Sequence, residues 1–293
     1  MALNQTRLVK PVKKLRKLLK KLDGDAAPER VHDLRTSARR FEAAFGALAL
    51  NDAGIPNSVL KELGRLRKRA GKVRDMDILT EFAAATRPKS EEECHVRLLE
   101  HLGARRQKEV GRLHAEVKQL RSGLRKELDQ AASRITKLLR GKSPSTAADV
   151  VANATATAVR LAAQLSAPPR LNKTSLHPYR LKVKELQNIL LMAEASSRPR
   201  FVEDLGQVKD AIGEWHDWAT LVGIASKLLN HGGRCLLLAE LKRIAKSKYD
   251  HALALALKLR QTYLQSSRPE RKNAAIASVP RPPVWEAMAR LAG

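Results

Sequence analysis

The sequence predicts an all-α protein made of two four-helix bundles related by an internal pseudo-two-fold. Three observations carry this reading. Glycine and proline are scarce, 15 and 13 in 293 residues, while Ala, Leu, Lys and Arg, the strongest helix formers, are abundant. A cationic stripe of His32, Arg35 and Arg39, at i, i+3 and i+7 on one helix face, returns as His177, Arg180 and Lys184. Leu63-Gly64, Gly71 and Asp75 return with the same spacing as Leu205-Gly206, Gly213 and Asp217. Two copies of one helical unit are the economical explanation.

The elements follow in order. Residues 4–22 form an amphipathic helix, with Leu8, Val12, Leu15, Leu18, Leu19 and Leu22 opposite Lys10, Lys13, Lys14, Lys17, Lys20 and Lys21. The lysine run reads as a solvated face, and Pro11 either kinks the helix or marks its start. Asp23-Gly24-Asp25 breaks it, and Pro28 suits the first turn of the next helix, which carries His32 and reaches about Leu50. Val31, Leu34, Ala38 and Phe41 give that helix its apolar face. After the turn at Asn51–Pro56, a third helix covers 57–85, with Leu60, Leu63, Leu66, Ala70 and Val73 toward the core. Arg87–Ser90 closes it, and Glu91-Glu92-Glu93 opens a fourth helix, their charge matching the positive helix end. That helix reaches about Arg140, with Gly123 a place for a bend.

Gly141–Ser145 is the best boundary, dividing the chain into a first half (1–142), a second half (143–265) and a tail (266–293). The second half begins with an Ala-rich helix over 146–166 and the loop Ala167-Pro168-Pro169. The second stripe lies on a helix over 177–196. A residue before proline is biased away from helical geometry, so His177 is expected at the N-cap and Pro178 at the first helical position. Arg198-Pro199-Arg200 precedes a helix over 201–229, and His231-Gly232-Gly233 precedes one over 234–265. Trp215 and Trp218 read as core. The paired glycines, seven apart on one face, read as sites where helices approach closely. The Arg-, Lys-, Pro- and Ser-containing tail is expected to be poorly ordered, with a short helix at 284–289 docking back.

A net charge of +26 points to a polyanion, an anionic membrane surface or acidic proteins as partner. An aromatic content of 3% leaves few platforms for base stacking, which favours recognition of phosphate over bases. Cys94 and Cys235 lack metal-ligand spacing and read as free buried thiols in a reducing compartment. The basic N-terminus lacks an apolar signal-peptide core, and no stretch approaches about 18 apolar residues, so a cytoplasmic protein with no membrane segment is expected. Gly141-Lys142-Ser143 lacks the upstream glycine of a phosphate loop. His177, His216-Asp217 and Asp250 follow the ligand order of HD-type phosphohydrolases, but Arg74 stands where His216 would in the first half. The sequence therefore predicts neither an enzyme nor a metal or cofactor.

The two His-x-x-Arg/Lys stripes and the duplicated Leu-Gly…Gly…Asp segments together resemble the CHAD domain, a histidine-containing α-helical family that binds inorganic polyphosphate. The resemblance spans roughly residues 4–265. It implies a basic central channel between the two halves. The family motif, a His followed by cations along one helix, is met by His32, Arg35, Arg39 and Arg40, and again by His177, Arg180, Lys182 and Lys184. Arg65, Lys68, Lys72 and Arg74 extend the expected site from the third helix and Lys209 from its counterpart. Arg105 and Arg106 add to it from the fourth helix, and Lys242, Arg243 and Lys246 from the last. The chain departs from the family at Glu42, Glu185 and Gln187, where cations are common, and at His216, where Arg74 is the first-half counterpart. The alternating Glu-x-Glu-x-Lys strand motif of the triphosphatase that often accompanies the family does not occur. The implied function is non-catalytic polyphosphate binding, with targeting to polyphosphate granules. A sequence-independent nucleic-acid binder and a scaffold for acidic proteins are the competing readings of the same charge.

Overall fold

Amphipathic periodicity becomes eight α-helices in a computed structural model, which describes residues 5–22, 26–47, 50, 54–86, 91–140, 144–167, 170–191, 199–229 and 235–264. They are α1 (Gln5–Lys21), α2 (Pro28–Ala47), α3 (Asn57–Ala85), α4 (Glu92–Arg140), α5 (Pro144–Ser166), α6 (Lys173–Leu190), α7 (Pro199–Leu228) and α8 (Leu236–Leu259). A π-helical turn, Arg260–Leu264, continues α8. All regular structure among the described residues is helical. No helix among them is long and apolar enough to cross a membrane. The expected breaks at 23–25, 87–90, 141–143 and 231–233, and the tail with its helix at 284–289, lie outside the described residues.

The range expected for the first helix holds, with one of its two alternatives for Pro11 set aside, and the expected start of α6 is corrected. α1 begins at Gln5 and continues past Pro11, so the proline is not its first residue. The proline is buried. α6 begins at Lys173, so His177 is not an N-cap and Pro178 lies inside the helix. The cause is a strong cap at Asn172, five residues before His177. Asn172 Oδ1 accepts from the N–H groups of Thr174 and Ser175, both at 3.0 Å, and Ser175 Oγ accepts from Asn172 N–H at 2.8 Å. This reciprocal pair fixes the first turn before the chain reaches the proline.

Two apolar clusters fill the interior. The larger takes Leu15 and Leu19 of α1, Leu34 and Phe41 of α2, Leu63 of α3, Leu124 of α4, Leu165 of α5, Val183 of α6, Ile212 of α7 and Ala256 of α8. The smaller gathers the end of α3 (Leu79, Ala83), the start of α4 (Leu98, Leu102), the end of α7 (Trp218, Leu221) and the start of α8 (Leu237, Leu241). Each cluster draws residues from both sides of the 142/143 boundary. α3 packs along α4 and α7 along α8, while α2 meets α6 and α3 meets α7 across the middle. Those two crossings position the site.

Candidate functional site

Where α2 and α3 face α6 and α7, the helices leave a cleft of about 730 Å³. α2 contributes His32, Arg35, Thr36, Arg39 and Arg40; α6 contributes His177, Arg180, Lys184, Gln187 and Asn188. α3 adds Arg74, Asp75, Glu81 and Phe82, and α7 adds Lys209, Asp210, Glu214, His216, Asp217 and Thr220. The i, i+3, i+7 spacing explains why single helix faces deliver the stripes. Lys182 is absent from the lining because i+2 from Arg180 falls on another face of α6.

Cations from either side of the 142/143 boundary meet in the cleft. The Arg35 side chain is only 18% exposed, and its Nη1 lies 3.5 Å from Asp75 Oδ1. Its Nε is buried with no hydrogen-bond partner among the described residues. Arg180 Nε donates to the Lys209 carbonyl at 2.9 Å, which pins it across α7. Burial first, then the charges of Arg35, Arg67 and Arg180, push Arg39 down to about 10. Burial likewise lowers Arg35, with Arg180 and Arg74 adding to the effect and Asp75 and Asp217 opposing it. Arginine keeps its proton at neutral pH, so this crowding is a standing repulsion among like charges. Asp75 is raised mainly by burial, and Asp217 adds to the rise while Arg35 opposes it. These carboxylates orient cations within the site.

The two stripe histidines share one environment. Burial holds His32 below its ordinary 6.5, helped most by Arg74. Burial also holds His177 below it, helped by His216 and then Arg180. The His177 and His216 rings lie 4.6 Å apart between centroids, and His177 Nδ1 is buried without a partner among the described residues. His216 was not counted among the expected site residues, although it occupies the place of Arg74 in the repeat. Asp250 faces Lys246 on α8 at 3.9 Å instead. Among the described residues, His177, His216, Asp217 and Asp250 do not gather three ligating atoms within metal-binding reach.

Of the repeated glycines, Gly206 and Gly213 make room for side chains rather than for close helix backbones. A Cβ on Gly213 would overlap the Arg180 guanidinium, and one on Gly206 would sit 2.8 Å from Gln187 Nε2. At Gly71 the nearest neighbour is Arg35 Nε, at 4.0 Å, and at Gly64 nothing lies within 4 Å. Gly213 is thus the floor over which Arg180 crosses to its carbonyl partner.

The remaining basic candidates lie outside the cleft lining. Arg65 pairs with Glu116 at 2.6 Å, joining α3 to α4. Arg106 Nε donates to Asp77 at 2.6 Å. Arg243 is bidentate to Glu240 one turn away, at 2.8 and 2.7 Å. Lys68, Lys72, Arg105, Lys242 and Lys246 are exposed. Glu42, where the family often has a cation, accepts from Arg67 Nε at 2.8 Å.

A family model described as the CHAD domain matches residues 11–225. A crystal structure described as the CHAD domain from the plant Ricinus communis superposes with a TM-score of 0.54 at 16% identity. The match covers 92% of this chain and 89% of that one, and at such identity the likeness is one of fold. Comparison with curated proteins gives no match.

Proposed function

Since the chain belongs to the CHAD domain family, we propose that it binds inorganic polyphosphate, without chemistry, in the cleft between α2, α3, α6 and α7. The observation that carries this reading is the convergence of Arg35, Arg39 and Arg180, from both halves, in one cleft despite their mutual repulsion. Such an arrangement costs stability in the free protein and is relieved by a polyanion. Polyphosphate carries about one charge per phosphate and has no bases to read, so rigid helices presenting forked guanidinium groups suffice. The α2–α6 and α3–α7 pairings are consistent with equivalent helices related by a pseudo-two-fold, with 1–142 and 143–265 as the two halves. In a cell this binding would recruit the protein to polyphosphate granules.

The test is a salt titration of polyphosphate affinity with duplex DNA of equal charge as competitor. Log affinity should fall steeply with log salt, as counterion release requires, and the DNA should compete poorly because the cations lie in a cleft of about 730 Å³ rather than on an open face. Equal competition by DNA would leave a generic basic protein and sink the proposal.

Affinity should also depend on pH. Both histidines have lowered values in the free fold, so below about pH 6.5 the unfolded chain binds more protons and the free protein loses stability as pH falls. A bound polyanion raises both values, so binding takes up protons and tightens in the same direction. At constant ionic strength we expect several-fold tighter binding at about pH 5.5 than at about pH 7.5. The His32→Ala/His177→Ala variant should flatten that profile, and an unchanged profile would remove the histidines from the site.

Gly213→Ala should displace Arg180 from the Lys209 carbonyl without disturbing the helix, since alanine is the better helix former. Polyphosphate binding should weaken roughly tenfold, the worth of one charge-assisted hydrogen bond of about 1.5 kcal/mol, with little change in the melting temperature. Gly64→Ala, with open space around it, should leave binding unchanged. Equal effects from both would refute the floor role.

A further inference from the structure

The two cysteines are far apart in sequence, which is why their spacing carries no metal signature, yet the fold brings them together beside a carboxylate. Cys94 stands in the first turn of α4 and Cys235 is the N-cap of α8, and both are buried. Glu91, just before α4, reaches over to α8. Its Oε1 accepts from Leu236 N–H at 2.9 Å, and its Oε2 accepts from Leu237 N–H at 2.7 Å and from the Cys235 thiol at 3.4 Å. Leu238 N–H donates to Cys235 Sγ at 3.4 Å. One ligating atom from each of Glu91, Cys94 and Cys235 lies within 4.8 Å of the other two. Ligands held about 2.0–2.3 Å from a tetrahedral ion lie roughly 3.5–4 Å from one another, so small side-chain adjustments would close the set.

We infer that Glu91, Cys94 and Cys235 form a site for a thiophilic divalent cation of the zinc class, with water in the fourth position. Two sulfurs and one carboxylate select such an ion over magnesium or calcium, which take oxygen donors. The outer shell is already built. The Leu238 N–H orients the Cys235 sulfur, and the Leu236 and Leu237 N–H groups orient Glu91, while loss of the Cys235 thiol proton on metal binding releases the Oε2 lone pair that the thiol occupies. The starts of α4 and α8 converge on the cluster, and their positive ends favour thiolate. Burial raises both thiols, with Glu91 adding to the effect, so without metal they hold their protons. Each thiol releases one proton as the metal binds, and metal affinity falls as pH falls. None of the three residues lines the cleft, so this site stands apart from anion binding.

The test is titration of the full chain with cobalt(II) alone, in a thiol-free reductant that keeps the sulfurs reduced. We expect saturation at about one equivalent, a sulfur-to-cobalt charge-transfer band with tetrahedral d–d bands, and one-for-one displacement by zinc. Cys94→Ser or Cys235→Ser alone should weaken zinc binding at least tenfold, and the double variant should lose the charge-transfer band. If the double variant fails to fold, the wild type decides through its charge-transfer band and the release of two protons per zinc. Absence of the band in wild type, or its persistence in a folded double variant, would overturn the site.

Discussion

Replacing Arg35 and Arg180 together by alanine is expected to weaken polyphosphate binding at least 100-fold. The two guanidiniums reach the shared cleft from opposite halves, Arg35 against Asp75 and Arg180 anchored on the Lys209 carbonyl. A hydrogen bond to a charged group contributes about 1.5–3 kcal/mol, and about 1.4 kcal/mol is tenfold in affinity, so two lost contacts give roughly 100-fold as the lower bound. The slope of log affinity against log salt should fall by about 2, one for each phosphate contact removed. Stability should change far less. Each arginine adds to the repulsion on Arg39, and its removal offsets the lost Asp75 pair and carbonyl bond. The Arg35→Lys/Arg180→Lys variant keeps the charge but loses the fork, and should recover only part of the affinity. Lys182→Ala, off the cleft, is the control and should cost little. Titration of labelled polyphosphate at fixed salt reads all of these, and a double-alanine variant binding within threefold of wild type would empty the cleft of its proposed role.

The largest stability effect is expected at Trp218. Its ring stacks on Phe82 at 4.5 Å between centroids with a 12° interplanar angle, joining α7 to α3 across the halves. It is buried in the smaller cluster, while Phe82 also lines the cleft. Trp218→Ala should cost about 3–5 kcal/mol, a large share of the 5–15 kcal/mol that holds a typical domain together. Trp218→Phe should cost much less, because it keeps the stack and the indole Nε1 has no hydrogen-bond partner among the described residues. Denaturant midpoints at unchanged slope measure both. Similar losses for the two variants would show that the indole, rather than the stack, holds the crossing.

What the sequence made legible was whatever a single helix writes on its own face. Val31, Leu34, Ala38 and Phe41 are fully or almost fully buried along α2, and the stripe beside them faces the cleft, because period and handedness settle both sides at once. The start of α6 lies earlier than the local signal indicates, because the proline bias acts only on its neighbour while the Asn172–Ser175 cap outweighs it. The glycine spacing was visible, but not that Arg180 would lie over Gly213. Charge alone does not say which cations face the cleft. Arg65 and Arg106 are taken up by Glu116 and Asp77, partners that belong to other helices and leave no trace in local spacing. The Cys94–Cys235 meeting was hidden for the same reason.

Both apolar clusters recruit residues from early and late in the chain. Pairings between distant segments require large loops to close before they are rewarded, which slows folding. On a ribosome, α2 and α3 must therefore wait for α6 and α7 before the cleft is complete, and for α8 before either cluster is. Until then the first half exposes cleft arginines that the finished fold partly buries, so the proposed anion site exists only once the late helices have docked.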